Sequence, residues 1–284
     1  MEGLAVTYSL NLLYQCALLA LVALGLAIVF GQLGIMNMAH GEFLMLGAYA
    51  MVVVQRVGLP LWLGVPLAAL ACAVIALVVE RILIRPLAHR PFDTLLATWG
   101  LGILMRKSVE AVFGRGYQSI DHGWTGTLEV VGAPYPAYRL GLMAAVAVAL
   151  GVLAWWYRRS PAGARVQAMV ANPGLAEAMG LNTRRLAMWA FVAGSVCAGI
   201  AGALLAPLVR IEPAMGMDWL LASFFVLVVG GLGTLGGLLA GAALIGGTQV
   251  AVSSALDATW GTVAVLLLAI LFLWRRPNGL VARA

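Results

Sequence analysis

Apolar residues in this chain run in long stretches, without the strict alternation of a half-buried strand and without the charged face of a soluble helix. The stretches cover roughly residues 8–30, 41–54, 61–79, 94–112, 140–157, 186–208, 219–253 and 259–274. A helix needs about 20 mainly apolar residues to cross a bilayer. A backbone facing lipid must satisfy its own hydrogen bonds, which selects helices wherever barrel-type alternation is missing. The pattern predicts an all-α polytopic membrane protein with about eight to nine transmembrane helices, and the whole of 1–284 reads as a single transmembrane domain.

Two places break the pattern. The stretch 219–253 is too long for one span and is cut at 230–237 by GGLGTLGG, five glycines in eight residues. Each costs a helix about 1 kcal/mol relative to alanine, so two short helices joined by a non-helical turn are expected. The other place is FGQLGIMNMAHGEFLMLGA at 30–48, where Gly31, Gly34 and Gly41 weaken a helix and Gln32, Asn37, His40 and Glu42 bring polar groups to membrane depth. These groups cannot all face lipid. They serve either as interhelical hydrogen-bond glue between closely packed helices or as the lining of a broken helix beside a protected path; the residues alone leave both readings open. FGQLG at 30–34 and VGGLG at 229–233 also match each other, a candidate internal repeat of the kind many transporters carry.

Composition agrees with a membrane protein. The chain is 63% hydrophobic and 10% charged, with mean hydropathy +1.00, against about 45 to 50% apolar and about 25% charged in soluble domains. The net charge of +6 sits in short patches between apolar runs, which sets topology and does not suggest nucleic acid. By the positive-inside rule, Arg81, Arg85 and Arg90, then Arg158, Arg159, Arg165, Arg184 and Arg185, then Arg275 and Arg276 mark cytoplasmic connections, and 114–139 and 209–218 lie outside. Arg106 and Lys107 resist this scheme, being late in an apolar stretch; snorkelling or an earlier helix start would accommodate them. The opening 30 residues lack a basic leader and a clear cleavage site and read as the first span.

Candidate chemistry is sparse. Cys16, Cys72 and Cys197 lie singly in apolar runs and read as packed small hydrophobes. His40 invites a metal or proton-relay reading, but His89 and His122 fall in loops expected on opposite sides, so no metal site is expected. No P-loop is present, since the glycine-rich 230–237 lacks the lysine, and no triad or carboxylate pair gathers. No catalytic residue, no enzyme activity and no cofactor bound by this chain are therefore expected. The longest inner connection, about 158–185, holds the helix-capable run GLAEAM at 174–179 after Asn172-Pro173. A short amphipathic helix with Glu177 on its solvated side suits docking of a soluble partner; the plain alternative is a solvated connection.

The run from Gly31 to Tyr49, with its Asn-Met-Ala-His-Gly-Glu core, resembles the permease subunits of bacterial ABC importers for branched-chain amino acids, most closely those for urea and short amides. Residues 165–183 look like that family's cytoplasmic coupling loop, 230–241 are similar to its Gly-Gly-x-Gly segment, and Arg-Pro-Asn-Gly-Leu at 276–280 resembles its C-terminal ending. Leu-Ala-Thr-Trp-Gly at 96–100, Met38 and Trp124-Thr-Gly lean toward the urea type, whereas Asp218 stands earlier than the acidic residue of that type and Ala222-Ser223 occupies its place.

The resemblance implies a permease domain forming half of a translocation pathway for urea or short amides, with branched-chain amino acids as the alternative substrate. A stand-alone small-solute channel is the alternative of another class. The implied partners are a second permease subunit of the same family, two ATP-binding subunits holding ATP and Mg, an extracytoplasmic substrate-binding protein and membrane lipid, with no nucleic acid. The implied location is the bacterial plasma (inner) membrane, multi-pass, with the C-terminus cytoplasmic. Asn37, His40, Glu42, Thr98, Trp99, Ser223, Gly231 and Gly233 are the implied pathway or gate, and Arg165, Glu177, Ala178 and Gly180 the implied coupling to the ATPase.

Overall fold

The computed structural model describes residues 2–34, 37–88, 90–121, 123, 126–231, 233–276 and 279–281. In chain order its helices are α1 (Glu2–Leu33), α2 (His40–Val57), α3 (Gly64–Val79), α4 (Arg85–Leu87), α5 (Pro91–Phe113), α6 (Ala137–Arg159), α7 (Pro161–Ala171), α8 (Pro173–Ala178), α9 (Thr183–Leu205), α10 (Met215–Gly230), α11 (Leu235–Ala255) and α12 (Ala258–Arg275). Strands β1 (Thr127–Val130) and β2 (Ala133–Pro136) form an antiparallel hairpin with Thr127 opposite Pro136.

The fold is all-α and polytopic. Among the described residues, six helices are long and apolar enough to cross a membrane, and Met215–Gly230 is a shorter apolar one. That is fewer than the eight or nine expected, for two physical reasons. The apolar runs at 41–54 and 94–112 belong to helices whose ends are charged: α2 carries Glu42 and Arg56, and α5 carries Asp93, Arg106, Lys107 and Glu110. The long stretch 219–253 divides, as its glycines require, into α11 and the 16-residue α10. At 1.5 Å per residue, α10 is about 24 Å long, short of the roughly 30 Å hydrocarbon core.

The chain forms two compact units, residues 24–121 with 156–222 and residues 1–23 with 122–155 and 223–284. In the first, α2 is the central element, buried along most of its length against α3, α5 and α9. Small residues make this packing close. A Cβ on Gly47 would fall 2.6 Å from the Gly199 carbonyl carbon, one on Gly41 2.6 Å from that of Gly216, and one on Gly202 2.7 Å from that of Leu44. Backbone rests on backbone at these crossings, as small residues allow between membrane helices. Phe43 and Phe191 meet edge to face, ring centres 6.3 Å apart, and the buried Cys72 thiol donates to the Phe43 carbonyl at 3.5 Å. Helix α3 continues through a π turn at Glu80–Ile84, where buried Glu80 pairs with Arg85 at 3.3 Å.

The connection at 158–185 is more structured than the sequence pattern suggests. The α7 helix, unexpected from the sequence, starts where the Ser160 hydroxyl accepts from the Gly163 N–H (2.8 Å) with Pro161 in the first turn. Asn172 caps α8 in the same way through the Leu175 N–H (3.0 Å), and Asn182 caps α9 through the Arg185 N–H (2.9 Å). Each side-chain oxygen satisfies a donor that the first helical turn leaves free.

In the other unit, the first part of α1 meets the hairpin and α11. The Tyr135 hydroxyl donates to Asn11 Oδ1 (3.0 Å), Gln15 and Gln249 pair at 2.9 Å, and the Arg139 guanidinium sits 4.8 Å over the Tyr14 ring. Helix α10 stops at Gly230; Gly231 and Gly233 adopt φ of 106° and 88°, and the Thr234 hydroxyl caps α11 through the Gly237 N–H at 2.9 Å. This is the non-helical turn that GGLGTLGG predicts.

Candidate functional site

The polar residues between α1 and α2 are buried together with a face of α5. Helix α1 ends at Leu33, Gly34 turns the chain with φ 64°, and its N–H still reaches the Phe30 carbonyl at 2.9 Å. No side chain caps the start of α2. Instead, Asn37 Oδ1 accepts from the Ala39 N–H (3.1 Å), and the Asn37 carbonyl accepts from the His40 N–H (3.2 Å). The Met38 N–H donates to Thr98 Oγ1 at 3.1 Å, and that hydroxyl donates in turn to the Leu95 carbonyl at 3.0 Å. Thr98 thus ties the break to α5.

In the first turn of α2, Glu42 Oε1 accepts from Arg106 Nη2 at 2.5 Å and from Nε at 3.2 Å. The Glu42 side chain is 3% exposed and that of Arg106 25%. Thr98, Gly102 and Arg106 follow one another at four-residue spacing and share one face of α5. Gly102 keeps this face close: a Cβ there would meet Glu42 Cγ at 3.5 Å and Ala39 Cα at 3.9 Å. Arg106, the charge that resisted the topology scheme, is the residue that sequence reasoning missed. The signal was an acid and an arginine in two apolar stretches, each needing a partner. Helix α5 begins at Pro91, ahead of the apolar run, as the earlier start requires; Arg106 does not turn outward but meets buried Glu42, while the exposed Lys107 pairs with Glu110 at 2.6 Å.

Asn37 Nδ2 and Glu42 Oε2 are buried and have no hydrogen-bond partner among the described residues. A buried polar atom left unmatched costs about 1–3 kcal/mol, so the cluster offers a free donor and a free anionic acceptor in an apolar setting. Glu42 Oε2 lies at the Gly216 backbone, where an added Cβ would come within 3.0 Å. His40 is buried beside Gly25, whose added Cβ would meet the imidazole Cε1 at 2.9 Å.

Of the residues singled out from the sequence, Asn37, His40, Glu42 and Thr98 lie in this region. Trp99 does not join them; it is 47% exposed, because one residue along a helix turns a side chain by about 100°. Ser223 is buried in α10, and Gly231 and Gly233 form the turn after it, all in the other unit. In the connection at 158–185, Arg165, Glu177, Ala178 and Gly180 are exposed while Ala176 is buried, so α8 is amphipathic with Glu177 on its exposed side. The Glu177 carboxylate accepts from the Thr183 hydroxyl and edges a shallow groove with Leu181, Asn182 and Arg184. Gly180, φ 84°, closes α8 with its N–H on the Glu177 carbonyl at 2.9 Å. His89, His122, Trp124, Pro277 and Asn278 lie outside the described residues. Among the described residues no three His, Cys, Asp or Glu side chains gather as a metal site.

Comparison with known proteins places this geometry. Residues 8–274 match the family described as branched-chain amino acid transport system / permease component. The chain is similar to the high-affinity branched-chain amino acid transport system permease protein LivH of Escherichia coli, 28% identical across 93% of this chain and 91% of that protein. It is also similar to LivM, named as a permease of the same kind of system in Escherichia coli, at 26% across 92% of this chain and 67% of that protein. The galactofuranose transporter permease protein YtfT of Escherichia coli is 28% identical across 80% of this chain and 65% of its own length. Since the family match runs through nearly all of a chain built mainly of apolar helices, this is a multi-pass membrane protein that belongs to the family of branched-chain amino acid transport system permease components.

Proposed function

We propose that this chain is a permease subunit of an ATP-driven ABC importer in a bacterial plasma membrane and forms half of the translocation pathway for a branched-chain or similar hydrophobic amino acid. The observation that carries this reading is the broken α1–α2 junction, where Asn37 Nδ2 and Glu42 Oε2 keep free hydrogen-bonding capacity amid apolar packing. An amino acid zwitterion brings an ammonium for an anionic acceptor, a carboxylate for an amide donor and an apolar side chain for the rest. Urea, neutral and compact, needs no charge. The urea reading leaned on Trp99, which faces away from the cluster, and the relatives LivH and LivM are named for branched-chain amino acids.

The similarity of this chain to both LivH and LivM supports a second permease of the same family as the other half of the path. Two ATP-binding subunits holding ATP and Mg, and an extracytoplasmic binding protein, complete the importer. The α7–α8 segment, with Arg165, Glu177, Ala178 and Gly180 exposed, docks the ATPase on the cytoplasmic side, where the C-terminus also lies. Ser223, Gly231 and Gly233 act in the gate through the α10–α11 break, and 1–284 works as one permease domain.

Uptake of radiolabelled leucine and of urea into vesicles tests this, using the chain with its genomically neighbouring permease, ATPases and binding protein, with and without ATP. Leucine uptake that needs both ATP and this chain is the expected result. Urea uptake without leucine uptake would overturn the substrate, and flux without ATP would replace the importer by a stand-alone channel.

A further inference from the structure

The C-terminal Arg-Pro-Asn-Gly-Leu signature is the motif that the transport reading leaves without a task. Gly279 and Leu280 of this signature, with the next residue Val281, lie across the break between α10 and α11. The last turn of a helix leaves carbonyls without intrahelical donors. Here the Leu280 N–H donates to the Val229 carbonyl at 2.9 Å and the Val281 N–H to the Gly230 carbonyl at 3.0 Å. The two backbones cross at glycines on both sides. A Cβ on Gly279 would fall 2.6 Å from the Gly231 nitrogen, and one on Gly231 would fall 3.0 Å from the Val281 carbonyl carbon. Both glycines hold left-handed φ, 79° and 106°. The crossing therefore excludes side chains at both positions twice over, by space and by conformation.

We propose that residues 279–281 are a releasable latch on the α10–α11 break. Docked, they cap the carbonyls of Val229 and Gly230 and hold the break in one geometry. Released, they free those carbonyls and let the turn at Gly231 and Gly233 rearrange, so the transport cycle requires the latch to open. The size of the contact suits this task. Leu280 and Val281 each remain 38% exposed, so the hold is two neutral hydrogen bonds with partial burial of two apolar side chains. The hydrogen bonds alone correspond to a docked-to-released ratio of roughly 5 to 150, and the apolar burial adds to it; no helical ladder of its own fixes the segment, which keeps release within thermal reach.

The role in transport rests on the proposed function, but the latch itself is measurable without it. Hydrogen exchange of the Leu280 and Val281 amides in the purified full chain should show protection of at least roughly 5-fold and clearly below that of the α10 interior. No protection, or protection equal to that of α10, would overturn the proposal. For its role, Val229→Cys with Leu280→Cys is placed in a chain whose Cys16, Cys72 and Cys197 are alanine, and assembled with its partners in vesicles. Mild oxidation should join the pair and cut ATP-driven uptake at least tenfold, with recovery on reduction. A joined pair that transports at the reduced rate would make the segment a fixed cap and overturn the latch. A reduced parent that takes up nothing would count against the transport reading, and the exchange result would still decide the latch.

Discussion

Replacing Arg106 with methionine keeps a long apolar stem and deletes the cation that meets Glu42. The Glu42 side chain is 3% exposed, so its carboxylate would be stranded in a low-dielectric site. Removing one partner of a buried ion pair costs about 3–5 kcal/mol. Protonation sets a ceiling on the stranded charge: neutralising an ordinary glutamate, pKa about 4.3, at pH 7 takes about 3.7 kcal/mol, or 2.7 units at 1.36 kcal/mol each. Arg106 is itself a quarter exposed, and solvent screening weakens its share of the pair, so a loss of about 3 kcal/mol at pH 7 is expected. At pH 5 the same neutralisation takes about 1 kcal/mol. The penalty exists only while the stranded carboxyl is charged, so stability returns as pH falls toward the carboxylate range. Thermal unfolding of the detergent-purified chain reads this directly. With about 2–4 °C per kcal/mol, Arg106→Met should lower the midpoint by roughly 6–12 °C at pH 7 and by a few degrees at pH 5. The double variant Glu42→Gln with Arg106→Met should recover most of the loss at pH 7, because no charge is left behind. An Arg106→Met chain that unfolds like the parent at pH 7, or a double variant as weak as the single one, would refute the assignment of this pair as a structural fastening of α2 to α5.

Thr98→Val keeps the shape of the side chain and strands the Met38 N–H; a loss of about 1–3 kcal/mol and faster amide exchange at 37–39 are expected, with Thr98→Ser restoring both, and unchanged exchange would remove Thr98 as the tie. Gly202→Leu drives a side chain into the Leu44 backbone and should abolish the folded peak in size-exclusion chromatography, whereas Gly151→Leu, with nothing within 4 Å of its added Cβ, should leave it intact. Glu177→Arg alters an exposed side chain, so stability should stay within about 0.5 kcal/mol while ATP-driven uptake falls several-fold; full uptake at normal expression would end the coupling role.

The breaks are legible in the sequence because their causes are local. Five glycines in eight residues weaken a helix, and Gly231 and Gly233 among them take the left-handed turn after α10, as Gly34 does after α1. The Glu42–Arg106 pair is only half legible: two charges in apolar runs demand partners, but their 64-residue separation hides which partner each takes. Helix α7 is missed because Pro161 reads as a breaker, although a serine followed by proline is also how a helix begins. The hairpin is missed because Pro134 and Pro136 argue against a strand, and its tip places Val131 at φ 50°, a conformation no sequence rule assigns to valine. The crossings at Gly41, Gly47 and Gly202 depend on tertiary neighbours; among 34 glycines nothing local separates those that touch another helix from those that face open space.

Those crossings also decide where the molecule bends. Leu44 of α2 meets Gly202 and Gly47 meets Gly199, so α2 and α9 run antiparallel with their main chains in contact. Helices that slide past each other do so by switching rotamers in the layer between them, and at these points there is no layer. The pair behaves as a stiff strut. In the proposed transport cycle, displacement therefore falls to hinges elsewhere, at Gly34 and at Gly231 and Gly233, whose left-handed backbone already interrupts the helices.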